Sequence, residues 1–203
     1  MARPKKTPAQ LESTREQILD SALAILQESG PEAITSRAIA ERMGVAHMSL
    51  YTYFENQPAI LRALSKREMA KWQTQQQVFD ERAKTEDIAT VVEDLLKFFI
   101  AFARENPNLY RMAWVMPEVG GETPEENRQR MQETVGQLAN LIQLGMQQGI
   151  FTSRNPFLAA GSVLAMVNTP NILFHSGKMI DPILRDGMVQ EVFSAAMGYL
   201  IKK

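Results

Sequence analysis

The chain has no cysteine and only two histidines, His47 and His175, among its 203 residues. The first absence excludes disulfides and thiolate metal sites. Two imidazoles cannot build a histidine-rich metal centre, and the carboxylates show no ligand spacing that would propose another. No metal and no cofactor are therefore expected. An unbroken apolar run of about 18 residues is also missing, and the opening MARPKKTPAQ has no apolar stretch, so neither a membrane span nor a secretory leader is predicted. A cytoplasmic location is the expectation. The chain contains no P-loop, G-x-S-x-G elbow, Rossmann fingerprint or Cys/His pair, which argues against an enzyme.

Charge of either sign is in small excess. The net charge is −1, but residues 1–67 carry nine Lys/Arg against seven Asp/Glu, and residues 68–203 carry thirteen against sixteen. Arg3, Lys5 and Lys6 precede the first acid, Glu12. They form a short basic arm that either reaches a phosphate or minor groove or is simply solvated.

What is present is helical periodicity throughout, 45% hydrophobic residues and no repeat of solenoid period. No alternating strand pattern occurs, so an all-α fold is predicted. Overlapping S-x-x-E and T-x-x-Q patterns start the first helix near Ser13 or Thr14, and Gly30-Pro31 stops it. Its stripe is Leu19, Leu23 and Leu26. A short helix with Ile39 and Met43 on one face then runs into Gly44, which permits a tight turn; Val45 offers an apolar anchor, and Leu50 and Phe54 return to the same core. Two short helices joined in this way make a helix-turn-helix, or else an ordinary helical hairpin.

Asn56 is the expected N-cap of a fourth helix running through Ile60, Leu64 and Trp72 toward Phe79, with Gln73 to Gln77 as an exposed polar stretch. Further helices are expected over Asp87 to Glu105, from Thr123-Pro124 to Gly149, from Pro156 to Ser176-Gly177, and from Asp181-Pro182 onward. Between the first and second of these helices, Pro117 to Gly121 reads as a loop. Pro170 should kink or break its helix near Asn168-Thr169.

The segment GPEAITSRAIAERMGVAHMSLYTYFENQPAIL resembles the N-terminal domain of tetracycline-repressor (TetR) family regulators. The resemblance covers residues 11–66 and rests on Gly30, Thr35, Ile39-Ala40, Gly44-Val45, Leu50-Tyr51, Phe54 and Asn56. It implies a three-helix helix-turn-helix DNA-binding domain over residues 1–66 and a helical ligand-binding and dimerisation domain over residues 67–203. The expected partners are a double-stranded DNA operator, a second copy of the chain and a small-molecule effector, with no membrane.

The resemblance also assigns roles. Arg37, His47, Met48 and Ser49 would face base edges, and Tyr51, Thr52, Tyr53 and Gln57 would meet phosphates or thymine methyls. Ala46 stands where a capping residue is usual, and Gln57 stands where a phosphate-contacting Lys is frequent. Met48 is bulkier than the usual residue. In the second domain, Trp72, Phe99, Phe102, Tyr110, Trp114, Met166, Asn168, Phe174 and His175 would line an apolar effector pocket, unless they are plain core. The predicted function is an operator-bound regulator, a repressor released by a small hydrophobic ligand. The alternative is a ligand-independent dimeric DNA-binding protein, and a ligand-sized cavity separates the two.

Overall fold

The computed structural model describes residues 7–116 and 123–201, apart from the side chains of Trp72 and Gln73. The basic arm at Arg3, Lys5 and Lys6 and the loop expected at Pro117 to Gly121 lie outside the described residues. Within them the chain is all-α: α1 (Pro8–Ser29), α2 (Ser36–Met43), α3 (Gln57–Arg82), α4 (Ile88–Glu105), α5 (Pro107–Tyr110), α6 (Pro124–Gln147), α7 (Pro156–His175) and α8 (Pro182–Leu200). Among the described residues there is no strand, and one antiparallel bridge pairs Phe151 with Ile201.

Helix α1 starts earlier than its internal capping patterns suggest. Thr7 accepts from the Gln10 N–H while the Gln10 side chain accepts from the Thr7 N–H, and Pro8 occupies the first turn. Two orphan donors are satisfied there and the proline costs no hydrogen bond, so T-P-A-Q outcompetes the later patterns. Thr14 instead turns its hydroxyl onto the Gln10 carbonyl inside the helix. The expected caps hold at Asn56 and Asp181, which accept from backbone N–H groups of the first turn, and Asp87 and Asn155 cap α4 and α7 in the same way. Thr123 and Glu126 add a full capping box to α6.

Two apolar clusters organise the chain. The smaller gathers Ile18, Leu26, Ile39, Leu50, Phe54, Ile60 and Leu64 from α1, α2, the following turn and the start of α3. The larger gathers Phe79, Leu96, Phe99, Leu138, Ile142, Val163 and Leu200 from α3, α4, α6, α7 and α8. Each fully buried Leu, Ile or Phe contributes ~1.5–3 kcal/mol, which opposes the entropy of ordering the segment that carries it.

Helix α7 runs unbroken through Pro170, so the expected break does not occur; Thr169 donates to the Ala165 carbonyl across this stretch. By length and composition α7 could cross a bilayer. Its Ala159, Ala160, Val163, Leu164 and Val167 are instead packed in the larger cluster, so it serves as a core helix. The Gln73 to Gln77 stretch is not uniformly exposed either. Gln76 is 4% exposed, because the face of α3 that carries it turns inward beside Trp114 and α6 residues.

The turn after α6 shows how tightly the larger cluster is built. A Cβ on Gly145 would lie 2.2 Å from Cδ2 of Phe151, whose ring is itself buried. Gly145→Ala should therefore overpack this corner and lower stability by about 1–3 kcal/mol. Urea denaturation followed by circular dichroism measures the loss, and an unchanged midpoint would contradict the packing described.

Candidate functional site

The candidate nucleic-acid face is built from its buried side outward. Thr35 accepts from the Ala38 N–H to start α2, and Ile39 and Ala40 seat the helix on the smaller cluster. Gly44 closes it at φ 65° and ψ 32°, the left-handed region where glycine carries no Cβ penalty. Val45 is not the buried anchor its apolar side chain suggested, since it stays exposed beyond the turn. Leu50 and Phe54 do insert, and they hold the next segment in place.

That segment, His47–Thr52, is a 3-10 helix rather than an α-helix. Ala46 at its N-cap has no side chain to satisfy the first N–H groups. The Ser49 N–H and hydroxyl both bond the Ala46 carbonyl, at 2.8 and 2.6 Å, closing the tighter i to i+3 turn. A capping residue missing in the sequence thus appears as a tighter helix in the structure.

Of the eight residues assigned to DNA, five face solvent. Arg37, His47, Met48, Tyr51 and Thr52 are exposed, Met48 by 71%. His47 and Tyr51 stand edge to face with ring centroids 5.4 Å apart. The other three are engaged within the chain. Ser49 is half-buried on the Ala46 carbonyl, and Tyr53 is half-buried against the smaller cluster, its carbonyl accepting from Arg15. Gln57 donates to the Ile34 carbonyl at 2.8 Å. The amide thereby ties the start of α3 to the loop before α2. Arg42 adds a two-pronged bond to Glu28 of α1, both contacts 2.7 Å, so α2 is fixed from both ends.

The second constellation centres on Tyr110. Its hydroxyl donates to Asn168 Oδ1 at 3.2 Å, its ring stacks on Trp114 at 5.5 Å and 10°, and the His175 ring lies 5.2 Å away. Phe102 meets Trp114 at 5.8 Å, and Phe174 meets His175 edge-on at 5.4 Å. Phe99 is buried in the larger cluster and Met166 packs half-buried against it. The Trp72 side chain lies outside the described residues. Burial pushes the Tyr110 phenol above its ordinary value. Burial also lowers His175, with Arg185 and Arg111 adding to the effect and a hydrogen bond to the Ala103 backbone opposing it. Asn171, 3% exposed, has no hydrogen-bond partner for Nδ2, and neither has His175 for Nε2. Buried polar atoms without partners are uncommon, and here two lie on one helix.

A short segment joins the two regions. After α5 the chain forms a π-helical turn, Arg111–Val115, closed by the Met116 N–H on the Arg111 carbonyl at 2.7 Å. The segment's side chains divide between the two regions. Met112 enters the smaller cluster, fully buried, with Leu109 against it, while Tyr110 and Trp114 join the aromatic group. Arg111 pairs with Glu32, and Asn108 donates to the Gln27 carbonyl. Single π-helical turns are rare and concentrate at functional places.

Comparisons with known proteins agree with this geometry. Residues 18–64 match the bacterial regulatory proteins of the tetR family, and residues 85–192 match the tetracyclin repressor-like C-terminal domain. The class C tetracycline repressor protein of Escherichia coli is 43% identical over 51 residues, 25% of this chain and 23% of that protein. The chain therefore covers about a quarter of the length of that relative. The nucleoid occlusion factor SlmA of Vibrio cholerae is 26% identical over 136 residues, 66% of this chain and 65% of that protein. Among solved structures, a proposed transcriptional regulator of Saccharomonospora viridis in complex with choline superposes with a TM-score of 0.76 at 17% identity, covering 95% of this chain and 100% of its own. The regulator FadR of Bacillus subtilis in complex with stearoyl-CoA gives 0.69 at 17% identity, with 91% and 98% covered.

The joining segment yields a test. Met112→Ala should remove about 2–5 kcal/mol, because the cavity it leaves is in a small core that few other side chains can fill. Hydrogen exchange should place the loosening in α1 and α2, which precede Met112 by many residues. Protection lost only in α4 to α8 would contradict the contact.

Proposed function

The chain belongs to the TetR family of bacterial transcription regulators, and from that premise we propose that it is a dimeric repressor released from a palindromic DNA operator by a small, largely apolar molecule. The observation that carries the DNA reading is the row Arg37, His47, Met48, Tyr51 and Thr52, exposed on a helix-turn-helix whose inner face is held by Ile39, Leu50 and Phe54. Such a unit lays its second helix in the major groove. Arg37 then reads a guanine through O6 and N7, His47 and Met48 meet neighbouring base edges, and Tyr51 and Thr52 meet the backbone. Ser49, Tyr53 and Gln57 act through position, by shaping the segment and its support. Residues 1–66 form the DNA-binding domain and 67–203 the effector and dimerisation domain, with α3 shared between them.

Replacing Arg37 by Ala should cost about 1–3 kcal/mol at one base pair and relax preference there. Sequence selection from a random duplex pool, run with both proteins, reads this directly. An identical preferred sequence would remove the base-reading role.

Dimerisation is supported by the outer faces of α7 and α8. Leu158 is 67% exposed and Ile183 83%, with Ile172 and Leu184 also exposed and the small residues Ala165, Ala195 and Gly198 between them. An apolar patch of this kind calls for cover. A second copy offers the same surface, giving a four-helix bundle and setting two recognition segments on half-sites about 34–36 Å apart or a multiple of that. Ala196, although part of a small-residue cluster, is fully buried in its own protomer and belongs to the core rather than to this face. Ala195→Glu should therefore give monomers by sedimentation, with near-native helicity and loss of tight palindrome binding. A wild-type chain sedimenting as a monomer at micromolar concentration would end the dimer reading.

The effector reading places a ligand beside Phe99, Phe102, Tyr110, Trp114, Met166, Asn168, Phe174, His175 and Trp72. It is supported by the unpartnered polar atoms of Asn171 and His175. A cleft of about 530 Å³, within the ordinary range for small-molecule sites, lies beside α3 and α6, but its described lining includes none of these residues. The choline and stearoyl-CoA held by the two structural neighbours add support. Release follows if the ligand prefers the arrangement of α3 and the π-helical segment found off DNA, since only differential affinity shifts the balance. Coupling of ~1–3 kcal/mol would weaken operator binding about 5- to 150-fold.

A further inference from the structure

The recognition segment His47–Thr52 is six residues long, and a helix that short leaves backbone groups unpaired at both ends. At its start the Ala46 carbonyl takes the Ser49 N–H and hydroxyl. At its end the Leu50 carbonyl accepts from the Tyr53 and Phe54 N–H groups at 2.9 and 3.0 Å, so the Tyr53 carbonyl lies beyond the last helical bond. Arg15 of α1, 38 positions earlier in the chain, donates to that carbonyl. The same guanidinium lies over the Phe54 ring, 4.3 Å from its centre, and its Nε faces Glu12 at 3.8 Å. Phe54 is buried in the smaller cluster. Arg15 therefore covers the last apolar anchor of the segment and holds the carbonyl just before it.

The residue next to Arg15 faces a different element. Glu16 accepts from Arg67 of α3 at 2.9 Å, and Asp20, one turn further on, accepts from the same nitrogen at 2.8 Å. Arg67 also bonds Glu68 at 3.0 Å, and both side chains are largely withdrawn from water, so this ion cluster is better shielded than an ordinary surface pair. Adjacent residues of α1 thus grip the end of the recognition segment and the body of α3. Burial of Leu50 and Phe54 seats the segment on the core, but apolar burial has no direction. A hydrogen bond has one, and the bond from Arg15 fixes how the segment is turned on that seat.

Resting on the reading that this segment enters the DNA groove, we propose that Arg15 is a positioning residue for operator recognition. It sets the angle of the recognition segment against α1 and, through Glu16 and Arg67, against α3, without touching DNA. The exposed side chains of His47, Met48 and Tyr51 meet the base pairs with the tilt that this bracket imposes. Loss of the bracket is felt at every base pair the segment reads, whereas loss of Arg37 is felt at one. The rival role is a direct phosphate contact, since the Arg15 side chain is 41% exposed and its outer edge is open to solvent.

The test compares full-length wild type, Arg15→Met and Arg15→Lys on two duplexes of equal length, the one preferred in the random-pool selection and one unrelated to it. Methionine keeps cover over Phe54 but removes the donor, and lysine keeps both charge and donor. Arg15→Gln replaces Arg15→Met if that variant does not fold. Titrations are run over a range of salt, at a temperature where circular dichroism shows every protein fully folded. Arg15→Met should bind the preferred duplex about tenfold more weakly, the loss expected for one charge-assisted hydrogen bond. The unrelated duplex should change by less than about twofold near physiological salt, and the salt slope should stay as it was. Arg15→Lys should recover most of the loss. Equal weakening on both duplexes, with the slope smaller by ~0.9, would make Arg15 a phosphate contact and overturn the proposal. A loss that Arg15→Lys shares in full would also overturn it. A selective wild type with an equally selective Arg15→Met overturns the proposal and leaves the DNA reading standing. A wild type that prefers no duplex overturns both.

Discussion

The smaller core is the constraint on which the arrangement depends. Three short elements and the beginning of α3 cannot remove much apolar surface from water by themselves, since the buried fraction falls with size. The unit makes up the shortfall with Met112 and Leu109 from a segment far along the chain. A DNA-reading unit that needs a side chain from elsewhere is energetically tied to whatever holds that side chain. The tie is reinforced at the surface by Arg111 with Glu32 and by Asn108 with the Gln27 carbonyl. These exposed polar contacts contribute less than Met112, but they fix orientation.

The segment faces both cores at once. Met112 points into the small core, while Tyr110 and Trp114, two residues to either side, stack on each other and face α4 and α7. Positions 110 and 114 share a helix face, and position 112, about 200° round from 110, points the other way. The same segment donates the Ala113 carbonyl to Arg130, so α6 is also connected to it. The two apolar clusters thus have two physical connections, the long helix α3 and this short turn.

Helix α7 solves a different problem. It is apolar on nearly all sides, with one flank in the larger core and Leu158 and Ile172 left outside. Asn168, Asn171 and His175 interrupt that character on the side of Tyr110. A polar triplet within a core helix carries a desolvation cost unless partners are found, and Tyr110 supplies only one of them.

Much could be read from the residues alone. The all-helical class followed from periodicity, the helix starts at Asn56, Thr123 and Asp181 from capping chemistry, and the family from the spacing of Gly30, Thr35, Gly44, Leu50 and Phe54. These are local properties, decided within a few residues by backbone and side-chain geometry. The residue types around the DNA face were likewise legible, but their orientation was not: Gln57 and Tyr53 turned inward because carbonyls and a core lay within reach. Competition between caps moved the start of α1 to Thr7, and the fully buried Ala196 could not be told from exposed Ala195 by composition. Only tertiary packing brought Met112 to α1, buried Gln76, and opened a charged cleft between α3 and α6, because each depends on contacts between residues tens of positions apart.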